Sequence, residues 1–191
     1  MISRRDALKI GAGVAAALAS VSIRPAVAIG IGSAGGLCRA VFDERYGECL
    51  VFAQELGFRG VATSNVRDNI AALWYQALRT QLRITRLPFA GLTDRAALFC
   101  FEELARDVGM KVRYRVDCVL EQGGRVRHEV TGDLAAVEAA RGPGTDESFG
   151  RAMAQLVSQQ DGRSSRSVAA QKRTGPFGPK NGTALVAWVI A

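Results

Sequence analysis

Three short clusters in this chain bring carboxylates and guanidinium groups together: Asp43-Glu44-Arg45, Arg67-Asp68 and Thr93-Asp94-Arg95. Each follows a short extended stretch, and each leads into a helical pattern. Guanidinium and hydroxyl groups donate hydrogen bonds to anions, and at two of the clusters, Arg67-Asp68 and Thr93-Asp94-Arg95, the start of a helix adds backbone N–H groups and the positive end of its dipole. Arg45, Arg67, Arg95 and Thr93, with Asp43 and Asp68 beside them, are therefore read as a polar pocket for a small anionic ligand. The same residues support a plainer reading, with Asp68 and Thr93 as helix caps and the arginines as solvated partners of nearby acids. A third reading gathers Asp43, Glu44, Asp68 and Asp94 around Mg²⁺, which takes oxygen ligands. The interleaved arginines oppose it.

Cys118 and His128 are the other reactive pair. His128 is the sole histidine, and a thiolate–imidazole pair is one route to an activated nucleophile. Both residues fall on an apolar face, and no third group is placed to orient them, so a packed pair is the better reading. The chain carries no G-x-S-x-G elbow, no H-E-x-x-H and no phosphate-binding P-loop. Gly30, Gly32 and Gly35 spell G-x-G-x-x-G, but they precede the first strand instead of following one, so they do not indicate a dinucleotide site.

Periodicity supplies the elements that would position the clusters. Residues 37–45 read as a strand ending in charge. Cys49, Phe52, Ala53 and Leu56 then recur at helical spacing, with Gly57 as a stop. A short extended stretch over 60–66 precedes a helix over 69–82 capped by Asp68. Residues 87–92 form a third strand, followed by a helix over 94–108 that Thr93 caps and Gly109 ends. Its inner face is read as Ala97, Cys100, Phe101, Leu104 and Val108. Strand and helix alternating three times imply an α/β domain with parallel strands. Ligands of such sheets bind beyond the carboxyl ends of the strands, where the three clusters lie.

The apolar period changes from 3.6 to 2 at Val112. Val112, Tyr114, Val116, Cys118 and Leu120 alternate with polar residues, and alternation resumes at Val126, His128 and Val130 after Gln122-Gly123-Gly124. A hairpin that pairs Leu120 with Val126 and Cys118 with His128 keeps the apolar set on one face. Arg113, Arg115, Arg125 and Arg127 on its other face could dock an acidic partner, or could be a charge-protected surface. Short helices are expected over 133–140 and 147–158. Residues 161–182, rich in Gly, Ser, Pro and basic residues, read as a flexible loop. Residues 184–191 are continuously apolar and read as a strand buried on both faces. The expected fold is α/β: a three-layer, mostly parallel sheet with flanking helices plus an antiparallel hairpin.

The first 28 residues are of a different kind. Arg4 and Arg5 precede a weakly apolar run, and Ala26 and Ala28 are spaced like an A-x-A cleavage site. Ser3-Arg4-Arg5-Asp6-Ala7-Leu8-Lys9 resembles the leader of the twin-arginine (Tat) export family, departing from it at Ala7. That resemblance implies a Tat translocase partner, a periplasmic destination and passage in the folded state. Such passengers often carry a cofactor or travel with a partner that does, but no cofactor is identified. The blocks FDERY, ALWY, FAGLTDRAALFCFEELARD and LVAWVIA resemble a bacterial exported-protein family, a likeness that brings no site residues with it.

Cleavage after Ala28 leaves about 163 residues, enough for one domain with a real core. Residues 29–36 read as a flexible mature N-terminus and 37–191 as a single domain. The formal net charge of +7 falls to +4 without the leader, with 21 basic and 17 acidic residues remaining. That excess is too modest to predict nucleic-acid binding. Cys38, Cys49, Cys100 and Cys118 include no C-x-x-C, and both disulfide pairing and buried free thiols are open.

Overall fold

The computed structural model describes residues 36–67, 69–120, 126–133, 148–160, 168–175 and 184–191. The leader, the glycine-rich segment over 29–35, Asp68, Arg125, the loop after residue 140 and the helix expected over 133–140 lie outside the described residues, except that Asp133 ends the strand Val126–Asp133.

Seven strands form one sheet: β1 (Arg39–Phe42), β2 (Thr63–Asn65), β3 (Phe89–Thr93), β4 (Val112–Leu120), β5 (Val126–Asp133), β6 (Val168–Gly175) and β7 (Val186–Ile190). Their spatial order is β2-β1-β3-β7-β4-β5-β6. β2, β1 and β3 are parallel, as the alternating pattern requires. Every other pairing is antiparallel, which corrects the expectation of a mostly parallel sheet. The cause is β7. The C-terminal strand enters the middle of the sheet pointing against both β3 and β4. All five of its residues are buried, as the unbroken apolar run predicts.

The hairpin adopts the register that keeps apolar residues together, with Leu120 opposite Val126 and Cys118 opposite His128. Within the stretch read as a loop, Val168–Gly175 is strand β6, paired along its length with β5. Its mixed composition gives no apolar alternation, because it is an edge strand.

Helices pack on both faces of the sheet. α1 (Gly47–Phe58) and α5 (Phe149–Ser158) share one core with Ala40, Ala90, Leu92, Tyr114, Val116, Ala187 and Val189. The alternate strand residues Val41, Phe89, Val186, Trp188 and Ile190 form a second core. It includes a helical run and α4 (Arg95–Arg106). That run is α2 (Ile70–Leu73), a π-helical turn over Trp74–Leu78, and α3 (Arg79–Thr85). Trp74, Phe89, Phe101 and Trp188 stack there in edge and tilted contacts at 5.4–6.4 Å.

Helix ends differ from expectation in instructive ways. α1 runs past Gly57 to Phe58, and the reversal falls at Gly60, whose φ is 82°. Asp94, not Thr93, caps α4: its Oδ1 accepts from the Ala97 N–H at 2.8 Å. Thr93 remains in β3 because its hydroxyl is used inside the core, accepting from Trp188 Nε1 at 3.0 Å. α4 buries Ala97, Leu98, Phe101 and Ala105, which turns Cys100 outward against the expected inner face. Gly109 ends that turn with φ 74°. All four cysteines are free.

Candidate functional site

β1 and β3 are neighbours whose outgoing turns diverge. The turn after β1 leads to α1 on one face, and the turn after β3 leads to α4 on the other. In open sheets the space between turns that diverge in this way is the crevice where ligands bind. Asp43 and Arg45 stand on one lip and Asp94 and Arg95 on the other, while Arg67 follows β2 alongside.

Asp43 is fully buried. Its Oδ1 accepts from the Arg45 backbone N–H at 3.0 Å and from Arg45 Nε at 2.9 Å, and its Oδ2 accepts from Nε at 3.0 Å and from Nη2. Burial alone would raise the pKa of this carboxyl. The Arg45 hydrogen bonds and charge outweigh it and hold Asp43 below the ordinary carboxylate range. Arg45 Nη2 also reaches across the crevice to Asp94 Oδ2 at 3.3 Å, so Asp94 caps α4 with one oxygen and meets Arg45 with the other. Nη1 of Arg45 makes no hydrogen bond among the described residues.

Asn65 organises the β2 side. Its Oδ1 accepts from the backbone N–H of Glu44 at 3.3 Å and of Arg67 at 3.1 Å, and Arg67 Nη1 donates to Glu44 Oε1 at 2.8 Å. On the β4 side, Arg95 Nε lies 3.0 Å from Asp117 Oδ1, and Arg115 holds the same carboxylate through Nε and Nη2. Asp117 is buried. Arg45, Arg67 and Arg95 thus follow the ends of β1, β2 and β3. Each also faces an acid, as the plainer reading requires. Thr93 lies in the core instead of the crevice.

Two participants, Asn65 and Asp117, escaped the sequence reading, as did the part that Arg115 plays beside Asp117. Asn65 was visible only as a polar strand end. Asp117 and Arg115 were legible as the polar half of an alternating strand, but their approach to α4 depends on β7 placing β4 two strands from β3. The start of α1 was also missed. Tyr46 occupies its N-cap position without a side-chain hydrogen bond, so the first N–H groups of α1 lack the cap that α4 has.

The remaining candidates are chemically quieter. Cys118 Sγ lies 3.5 Å from His128 Nδ1, and the imidazole stacks on Phe149. Burial pushes the Cys118 thiol upward, and likewise Cys49 to about 12 and Cys38 to about 11, so these sulfurs stay protonated at neutral pH. On the hairpin face, Arg115 is committed to Asp117, and Arg113 Nε donates to the Ala191 carbonyl at 3.4 Å. Arg127 lies opposite Val119 in the register. No group of three His, Cys, Asp or Glu side chains able to hold a metal occurs among the described residues. No helix among them is long and apolar enough to cross a membrane.

No family model matches the chain, nor does any curated protein or solved structure.

Proposed function

We propose that the chain is a Tat-exported periplasmic protein whose mature domain binds a small anion, a carboxylate or a phosphate, in the crevice between β1 and β3. The observation that supports this reading is that Arg45, Arg67 and Arg95 follow the ends of three adjacent parallel strands, with Arg45 beside the uncapped start of α1. The two cores on opposite sheet faces favour treating this part of the molecule as a three-layer sandwich. In that arrangement the strand-end crevice is the natural ligand position.

The existing ion pairs do not close the site. The arginine side chains remain about half exposed, at 53%, 63% and 54%. Exposed pairs are weak because water screens them and two long side chains must be ordered. A ligand anion therefore replaces the accessible carboxylates, Asp94 on Arg45 and Glu44 on Arg67, at small cost, while the buried Asp43 and Asp117 keep their arginines. Asp43 keeps the Nε edge of Arg45 fixed, which pre-orients the guanidinium and lowers the ordering cost of binding. Among the described residues the crevice offers donors and no activated nucleophile, so binding is favoured over catalysis.

Titration calorimetry of the purified protein with phosphate, succinate and citrate tests the reading. At least one should bind saturably, and Arg45→Gln should weaken it about tenfold, the loss of one charge-assisted contact. A protein that none of these anions stabilises or binds at saturating concentration would remove the proposal.

A further inference from the structure

The arginines at the strand ends contrast with those on the helical run α2–π–α3. From Asn69 to Thr93 the chain contains no Asp or Glu, yet it contains Arg79, Arg83 and Arg86. None of these three makes an ion pair among the described residues. Large apolar side chains project beside them: Ile84 is 77% exposed, Tyr75 56% and Leu87 43%. Arg79 lies over the Tyr75 ring at 5.8 Å. The inner side of the same run is buried through Trp74, Leu78 and Leu82, so the outward residues are not displaced core.

The end of α3 is unusual in its backbone. Arg86 is the only non-glycine residue at positive φ among the described residues, at 50°. Its N–H closes the helix on the Leu82 carbonyl at 2.9 Å. Glycine is the residue that this left-handed C-terminal position favours. Arginine occupies it here at a conformational cost.

We propose that the face formed by Tyr75, Arg79, Arg83, Ile84, Arg86 and Leu87 docks on an anionic lipid bilayer. Arginines unmatched by acids supply charge complementarity to the lipid phosphates, and the projecting Ile84 and Leu87 enter the headgroup boundary. A basic helical face with apolar and aromatic tips is the pattern of interfacial binding. A projecting helix end suits a fluid surface better than a protein partner, which would need a matching hollow. The face lies where β3 begins, and the strand-end crevice lies where β3 finishes, so a docked molecule presents the crevice away from the bilayer.

Flotation of the full chain with vesicles provides the test. Phosphatidylcholine vesicles are compared with phosphatidylcholine–phosphatidylglycerol vesicles, at low and high salt. The leader is present in every variant, so its contribution cancels in the comparison. The wild type should prefer the anionic vesicles and lose that preference in salt. Arg83→Gln should weaken partitioning about fivefold, as expected for one basic residue at a charged surface. Ile84→Ser with Leu87→Ser should weaken it further. Arg86→Gly separates docking from folding, because it should unfold no more easily than the wild type and yet bind vesicles less. Equal partitioning of wild type and variants overturns the proposal. So does capture on an acidic polypeptide without affinity for the anionic vesicles, which would assign the face to a protein.

Discussion

Gly91 sits opposite Trp188, and the indole occupies the space that a side chain at 91 would need. The clash is with a buried ring fixed by its hydrogen bond to Thr93 and by Phe89 and Phe101, so nothing nearby can yield cheaply. Gly91→Ala should therefore destabilise the fold by about 2–3 kcal/mol, the range for overpacking a core. Urea denaturation followed by tryptophan fluorescence checks this; an unchanged midpoint would mean the indole is free to move. Asp43 makes a different prediction. Its carboxyl titrates below the ordinary value of about 3.9 because ionisation is favoured in the fold. Its contribution is then complete above the unfolded-state value and is lost as pH falls through that value towards the lower native one. Asp43→Asn should cost roughly 1–2 kcal/mol near pH 7, the worth of charged hydrogen bonds. The gap between variant and wild type should narrow below about pH 4. A gap that stays constant down to pH 2 would show that Asp43 contributes packing alone.

At the scale of elements, α1 and α5 approach so closely that Gly150 touches the backbone of Glu48 and Phe52. Glu48 Oε2 also accepts from the Gly150 N–H at 2.9 Å, which sets a buried carboxylate at the start of α5. Backbone cannot rotate away as a side chain can. Gly150→Ala should separate the two helices and cost about 3 kcal/mol, measured as a fall in the denaturation midpoint; a fall below a tenth of that would show that the helices slide apart freely. Nothing in the sequence around Gly150 announced this contact, because a close crossing is a property of two segments a hundred residues apart. The β4–β5 register, by contrast, was fully legible: a single-residue slip would have set Leu120 against Arg127, and burial forbids it. The three parallel strands and the buried β7 were legible for the same reason. The face of α4 was legible only to within one turn step, since Ala97 and Phe101 fit either stripe and the choice between Cys100 and Leu98 depends on what the sheet presents. β6 was illegible because an edge strand need not alternate. The arginine clusters were placed correctly at strand ends, but their partners Asn65 and Asp117 arrive through pairings that no local pattern encodes.

On the scale of the whole molecule, β7 joins two half-sheets. β2, β1 and β3 lie on one side of it and β4, β5 and β6 on the other, and β3 and β4 meet only through β7. Both cores draw on it, through Ala187 and Val189 on one face and Val186, Trp188 and Ile190 on the other. Yet it lies far along the sequence from both of its neighbours, β3 (Phe89–Thr93) and β4 (Val112–Leu120). The centre of the sheet therefore closes only by pairing segments distant in sequence, and long-range pairing of this kind is slow. Ending the chain at Thr183 should abolish the cooperative urea transition, because the removed strand is the shared wall of both cores. If the leader directs export of folded protein, as its resemblance to Tat leaders implies, that truncated chain should also fail to reach the periplasm. Arg4→Lys with Arg5→Lys should block export as well, but for the opposite reason, since the domain behind the altered leader remains folded. Fractionation with intact mass, read beside circular dichroism of the retained protein, distinguishes the two. A truncated chain exported as efficiently as the full one would break the link between sheet closure and transport, whatever the leader does.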